Sequence, residues 1–522
     1  MSSVPCNNPP QAVQPEPAHH DTRPVRTERS TYGQILKSTA LVGGSSVLTM
    51  GIGVVRTKAM ALLLTPAQFG LAGLYMAIAA LVQSIAGMGI NSSGVRQIAE
   101  AARSGDLQRI SRTAVVLRRT SLVLGLTGAA FLIGFARPIS TLTFGTDRRT
   151  AGVAFLSAAV FFNLLSGGQG ALIQGMRRIS DLAQMSVLGP LFGTLVAIPL
   201  VYFFREDGIL ASLVATAAFA VLTSWWYSHK IKIQTLSLTL PEVGQEAAAL
   251  LTLGFAFMIS GFVTVGSAYV IRITILHKIG IEATGFYQSA WTLGGLYVGV
   301  ILDAMGTDFY PRLTAHAHDN RECNRLVNEQ AHVSLLLAGC GVLATLTFAP
   351  LVISVFYAAH FAGAVGVLRW ICLGIALRVI SWPMGFIIVA KGRQGIIIFC
   401  ELAWALVHLG LAWICIGRFG LNGAGIAFFG SYVFHIFLTY AFVRRLSDFR
   451  WSPANFQLSL FYLAALGVVF CGFFLLPFGW ATFFGTVVAL VSALYSGRTL
   501  LKLFPTTRIP SGLRPLFSLL QM

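Results

Sequence analysis

The sequence predicts an all-α polytopic membrane protein: two six-helix lobes in pseudo-twofold repeat followed by two C-terminal helices, about fourteen spans in all. Three observations carry that expectation. The first is composition: 55% of the 522 residues are hydrophobic, only 11% are charged and mean hydropathy is +0.74, so apolar runs of roughly 20 residues read as spanning helices. The second is the placement of lysine and arginine between those runs. The third is an internal repeat.

Taken in order, the first thirty residues (1–30) are polar and rich in proline, without the basic-then-apolar order of a cleaved signal peptide, and read as a disordered cytoplasmic leader. Spans follow at about 36–64, 67–90, 113–135, 151–174, 181–204 and 208–228, which form an N-lobe within 31–232. A C-lobe within 244–446 holds spans at about 246–273, 282–309, 330–357, 363–390, 395–417 and 420–443. The final pair, 455–476 and 478–497, occupies 455–497, and a basic tail over 498–522 either lies on the anionic inner leaflet or is solvated.

The basic residues set the orientation. With the N-terminus cytoplasmic, the cytoplasmic segments hold about 26 of the 37 lysines and arginines, the outer loops about six and the membrane about five. Every inner loop is basic, from Arg96 to Arg119, Arg177 and Arg178, Lys230 and Lys232, Arg312 to Arg325, Lys391 and Arg393, to Arg444, Arg445 and Arg450. A miscounted span would invert everything after it, and no inversion occurs. Both termini are therefore expected on the cytoplasmic side. Dispersal of the +18 net charge through loops, with no single patch, also argues against a nucleic-acid partner.

The repeat runs at nearly one spacing. Gly73-Leu74-Tyr75 near the start of the second span returns as Gly285-Phe286-Tyr287 near the start of the eighth. Arg205, Gly208 and Ala211 return as Arg418, Gly423 and Ala424, and Gly175 with Arg177 as Gly392 with Arg393. Six helices separate the copies, an even number, so the repeat is parallel about an axis along the membrane normal, an arrangement that places a substrate site between the two halves.

Charges inside spans mark candidate sites, because a charge in hydrocarbon is costly unless it faces protein or a wet cavity. Arg56 and Lys58 interrupt the first span, and Arg272, Arg369 and Arg378 recur later. Arg272 is the approximate repeat mate of Arg56, with snorkelling to the outer headgroups as its alternative reading. The only acids clearly inside are Asp303 and Glu401, which either pair structurally with the arginines or couple ions to transport. A cationic interior of this kind suits an anionic cargo. His408 and His435 read as hydrogen-bonded helix residues.

Small residues crowd Gly43 to Ser46 with Gly51 and Gly53, Gly167 to Gly170, and Gly294 to Gly299, for close packing or for bending, and Pro190 and Pro383 add kink candidates. The seven cysteines make no metal or CxxC spacing and read as apolar fillers. No Walker A loop, HExxH or GxSxG occurs, and the longest outer loop, Arg137 to Thr150, is short, so neither an enzyme nor a cofactor is expected.

The run from Ile35 to Ala101, with its VRTKAMALLLTP and AGMGINSSGVRQIAEA segments, resembles the opening of the Wzx-type O-antigen translocases. These are polysaccharide flippases of the multidrug/oligosaccharidyl-lipid/polysaccharide exporter (MOP) superfamily, which includes the enterobacterial common antigen flippase. Beyond it the resemblance is architectural, apart from FYPRLT at Phe309 to Thr314. It implies a flippase for undecaprenyl-pyrophosphate-linked oligosaccharide in a bacterial inner membrane, alternating between inward-open and outward-open states around a cationic cavity. Arg56 matches a basic residue of the family's first helix and Arg96 the end of its second. The related lipid II flippases use a last helix pair as a groove for the lipid tail. The resemblance also implies membrane lipids as partners, together with a polysaccharide polymerase and a chain-length regulator. Two alternatives stand beside it: a cation-coupled multidrug exporter of the same superfamily, and a lipid-linked sugar polymerase or ligase.

Overall fold

A computed structural model of the chain describes residues 28–231, 233–234 and 239–503. The expected leader lies outside them apart from Glu28 to Ser30, and so does the tail beyond Leu503. Helices follow one another without a strand among the described residues: α1 (Glu28–Leu63), α2 (Pro66–Ala86), α3 (Ile90–Ser104), α4 (Leu107–Gly134), α5 (Ala136–Phe144), α6 (Thr150–Gly175), α7 (Ile179–His229) and α8 (Leu240–Lys278). Then come α9 (Ile281–Ala315), α10 (Asn320–Thr347), α11 (Ala349–Phe356), a 3-10 turn (Ala359–Ala364), α12 (Val365–Ala390), α13 (Gln394–Phe419), α14 (Asn422–Ser447), α15 (Pro453–Leu475) and α16 (Phe478–Leu503).

Among the described residues, 11 helices are long and apolar enough to cross a membrane. One of them, α7, holds two expected spans, because its backbone leaves the helical region at Arg205 (φ 51°, ψ −118°). Gly208 permits the turn there, since a Cβ on it would lie 2.3 Å from the Leu200 carbonyl oxygen. With α7 counted as two, and with α8 and α9 at the seventh and eighth expected positions, the helices match the fourteen segments read from the sequence.

Two helices were not anticipated. The segment after α2, expected as a loop, forms α3: Gly89 reverses the chain at φ 65°, and Ile90, Ile98 and Ala101 are buried while Arg96 and Arg103 face out. The loop from Arg137 to Thr150 likewise contains α5, capped by Gly145 at φ 69°.

In the first lobe α6 packs on α4 and α7, and α1 packs chiefly on α7. In the second, α12 is the central helix, packed on α9, α10 and α14, and α13 joins α14 to α8. The final helices α15 and α16 pack on α10, which makes them an appendage of the second lobe. The lobes meet along α2, which lies against α9 near one end and α8 near the other. Glycine makes both contacts possible: a Cβ on Gly285 would sit 1.9 Å from the Pro66 carbonyl oxygen, and one on Gly254 would sit 2.1 Å from that of Met88. Close backbone approach through small residues is the usual way for helices to pack in hydrocarbon.

Candidate functional site

Three adjoining cavities lie between the lobes. One of about 450 Å³ is bounded by α1, α7, α9 and α11 and includes Ser46, Thr49, Thr57 and Thr292. A second, of about 220 Å³, shares Gly53, Thr57, Thr292 and Tyr357 with it and adds Arg56 and Gln288. The third, of about 310 Å³, shares Gly73, Met76 and Gln288 with the second and adds Arg272, Tyr287, Trp291, Trp404 and His408. They form one tract through the molecule with a cation in two of its three parts.

The helices hold the two cations differently. Arg56 is half-buried on α1 and, among the described residues, has no hydrogen-bond or ion-pair partner. Arg272 on α8 is only 8% exposed; its Nε donates to Gln288 Oε1 at 2.9 Å and one Nη to the Ala268 carbonyl at 2.8 Å. Its guanidinium also lies 5.8 Å from the centroid of the Tyr287 ring. No acid lines any of the three cavities among the described residues. Among the described residues the tract therefore carries positive charge that no lining acid compensates, beside hydroxyl, amide and aromatic groups.

One end of the tract is shut. Lys58 Nζ donates to the carbonyls of Ser354, at 2.9 Å, and Tyr357, tying α1 to α11. His360 Nε2 is 3.3 Å from the Leu64 carbonyl oxygen, and the Phe69 ring packs edge-on against Tyr357 and Phe361, with centroids 5.4 and 5.5 Å away. Toward the other end α1 is held to α7 by Thr49 Oγ1 donating to the Ser186 carbonyl at 3.0 Å. Its glycines there, Gly43, Gly44, Gly51 and Gly53, have nothing within 4 Å of where a Cβ would stand. They leave open space beside α1. Gly167 and Gly168 do serve close packing, against Asn91 and Ser121.

The remaining expected site residues lie elsewhere. Lys58 is spent on the latch just described and lines none of the cavities. Arg96 lies on α3, mostly exposed and paired with Glu100 at 3.0 Å. Arg369 stands 3.5 Å above the Phe473 ring with its Nε on the Leu346 carbonyl, so it fastens α12 to α15 and α10. Arg378 lies 5.0 Å from the Trp382 ring, inside the second lobe and off the tract. Glu401 is partly buried on α13, one turn before Trp404. The side chain of Asp303 lies outside the described residues.

Of the two histidines, His435 Nε2 is 3.4 Å from Thr439 Oγ1, while His408 Nδ1 is buried without a partner among the described residues and faces the tract beside Trp404. Gln288, Thr292, Tyr357 and Trp291 were missed, because a neutral polar or aromatic side chain in an apolar helix carries no signal of its own. Gln288 had one faint marker: it directly follows the Gly285-Phe286-Tyr287 landmark of the repeat. No group of residues able to hold a metal ion occurs among the described residues.

A family model described as polysaccharide biosynthesis protein matches residues 59–366 of the chain. The lipid III flippase of Escherichia coli (strain K12) is 22% identical over 410 residues, covering 77% of this chain and 97% of the relative. A putative O-antigen transporter of Shigella flexneri is 22% identical over 369 residues, covering 68% and 85%. Among solved structures, the lipid II flippase MurJ in an inward closed conformation superposes with TM-score 0.68 at 15% identity, covering 88% of this chain and 99% of that one. An inward-facing multidrug resistance MATE family transporter of the MOP superfamily gives 0.64 at 16% identity, covering 78% and 96%. The fold is thus that of MOP transporters, and the resemblance read from Ile35 to Ala101 extends over most of the chain.

Proposed function

Because the chain belongs to the polysaccharide biosynthesis protein family, we propose that it is a flippase carrying a polyprenyl-pyrophosphate-linked oligosaccharide from the cytoplasmic to the periplasmic leaflet of a bacterial inner membrane. In this reading the face bearing the basic loops is cytoplasmic, as the positive-inside rule requires. The cargo is a repeat unit of O-antigen, common antigen or exopolysaccharide.

One observation carries the reading: Arg56 and Arg272 line a single tract between the lobes with no acid beside either among the described residues. A pyrophosphate and its sugars cannot cross hydrocarbon bare, since each unsatisfied polar group costs several kcal/mol. A guanidinium stays charged and donates paired bonds to phosphate oxygens. Gln288, Thr57 and Thr292 offer hydrogen bonds of the kind sugar hydroxyls take, and Tyr287 and Trp291 offer ring faces. A cation exporter of the same superfamily would need acids here, so its MOP fold alone does not favour it.

Transport needs no covalent step. With the far end held by Lys58 and the Phe69 cluster, cargo enters from the open side of α1; breaking the latch while the open space beside the α1 glycines closes delivers it to the other leaflet. Reconstitution in liposomes with a labelled polyprenyl-pyrophosphate oligosaccharide tests this directly. Transfer between leaflets that depends on Arg56 supports the flippase, whereas no transfer together with uptake of an organic cation would move the assignment to the exporter.

A further inference from the structure

A separate groove of about 760 Å³ opens on the membrane-facing side of the second lobe, between α12, α14 and α15. Its walls are apolar: Ile380, Ile436, Phe437, Phe456 and Leu463 line it, with Phe437 70% and Phe456 61% exposed. Its mouth at the basic face is different in kind, formed by Arg444, Arg450, Tyr440 and Trp451. Neither arginine has an acid within ion-pair distance among the described residues, and Asp448, the nearest acid in sequence, forms no ion pair there.

The mouth is rigidly built. The connector between α14 and α15 is clasped by α10: Asn324 Nδ2 donates to the Ser447 carbonyl at 2.8 Å, and Asn328 Nδ2 to the Arg450 carbonyl at 3.1 Å. Asn328 Oδ1 accepts from the Ser452 amide at 2.8 Å, and Asn455 Oδ1 lies 2.8 Å from His332 Nδ1. Phe449 is fully buried and stacks edge-on with Trp451 at 5.1 Å. Such a clasp fixes the backbone of Arg450 next to the last turn of α14 that carries Arg444. The N-terminus of α15, capped by Ser452 Oγ at 3.2 Å, points its dipole at the same place.

Length identifies the occupant. From Pro453 to Leu463 α15 rises about 15 Å at 1.5 Å per residue, which is half of a hydrocarbon core of about 30 Å. The groove therefore spans one leaflet, with two unpaired guanidinia at headgroup level and tyrosine and tryptophan at the interface. We infer that it binds an anionic diacyl phospholipid of the leaflet at the basic face, the phosphate held by Arg444 and Arg450 and the acyl chains lying along Ile436, Phe437, Phe456 and Leu463. A polyprenyl chain, much longer than an acyl chain, would have to run on beyond Leu463 and fits less well.

The test uses the full-length protein, delipidated in neutral detergent and titrated with phosphatidylglycerol while its unfolding temperature is followed. A saturable rise is expected with phosphatidylglycerol and none with phosphatidylcholine or inorganic phosphate. In the double variant R444Q/R450Q the half-saturation point should move at least about tenfold, as expected for losing charge-assisted bonds to phosphate. Ser459→Trp, which fills the groove and keeps both arginines, should weaken binding as well, and it decides the matter alone if the double variant does not fold. An unchanged titration in Ser459→Trp, an equal response to phosphatidylcholine, or displacement of phosphatidylglycerol by a polyprenyl phosphate at lower concentration would each overturn the inference.

Discussion

Helices α1 and α8 open the two halves of the repeat and carry the paired cations Arg56 and Arg272, yet they are held in opposite ways. α8 packs on α2, α3 and α13, and Arg272 is bonded to Gln288 and to its own backbone. α1 packs chiefly on α7, presents four glycines to open space and leaves Arg56 without a partner among the described residues. One wall of the tract is preorganised and the other is loose. A ligand that bonds to the loose wall can shift its position, whereas the bonded wall changes little on binding, because a ligand moves an equilibrium only by its differential affinity for the two states.

The largest effects should come from the cations themselves. Arg56→Ala and Arg272→Ala are each expected to slow leaflet transfer at least tenfold, since a charge-assisted bond contributes about 1.5–3 kcal/mol. Their stabilities should part company. Arg56→Ala removes no bond and should leave the unfolding temperature in detergent nearly unchanged, whereas Arg272→Ala strands Gln288 Oε1 and should lower it. Equal losses of stability in both variants would erase the distinction between a loose and a fixed wall.

Glycine substitutions sharpen the same contrast. Gly285→Ala puts a methyl group 1.9 Å from the Pro66 carbonyl oxygen, a backbone atom that cannot swing aside, so the lobes should part there and the yield of folded protein should fall severalfold. Gly53→Ala on α1 meets nothing within 4 Å and should raise thermal stability slightly, by up to about 1 kcal/mol of helix propensity. Expression and unfolding temperature measured side by side check both. A tolerated Gly285→Ala would mean the α2–α9 contact is not tight in the membrane.

A smaller, conformational effect is expected at the latch. Lys58→Met keeps most of the length of the side chain but removes the bonds to the Ser354 and Tyr357 carbonyls, so the far end of the tract should open more often. Labelling of a Thr57→Cys reporter in a cysteine-free background, with a membrane-impermeant thiol reagent added from the face opposite the basic loops, should rise severalfold. No change in labelling would remove Lys58 from the gate.

Much of the architecture was legible because spans are properties of whole segments: twenty apolar residues and the sign of the next loop leave little choice. α3 escaped because its buried residues are only Ile90, Ile98, Ala101 and small neighbours on a polar helix too short to span. The site was less legible, since depth in a span says nothing about direction. Residues two apart on a helix point roughly 200° apart, so Arg56 and Lys58 could not both face the tract, and only Arg56 does. Arg369 and Arg378 sit in the same apolar helix, but one lies over Phe473 and the other beside Trp382. Arg96 carried its own explanation four residues on, at Glu100.

The smallest effect concerns the start of the fixed wall. Glu242 in the first turn of α8 accepts from the Thr239 amide at 2.8 Å and the Thr239 hydroxyl at 2.7 Å, and these bonds hold its carboxyl below its ordinary 4.5. A group with a depressed native pKa stabilises the fold fully above the unfolded value and loses that contribution as pH falls through the native one. Wild type and Glu242→Gln should therefore differ in unfolding temperature at pH 7 and converge as pH drops below about 4.5. Glu242 lies at the solvent-accessible start of α8 and is only partly covered, so the difference should be small and should shrink further in high salt. A difference that persisted unchanged to pH 3 would mean that it does not arise from the charge of the Glu242 carboxylate, and that the cap acts on α8 through a pH-independent contact instead.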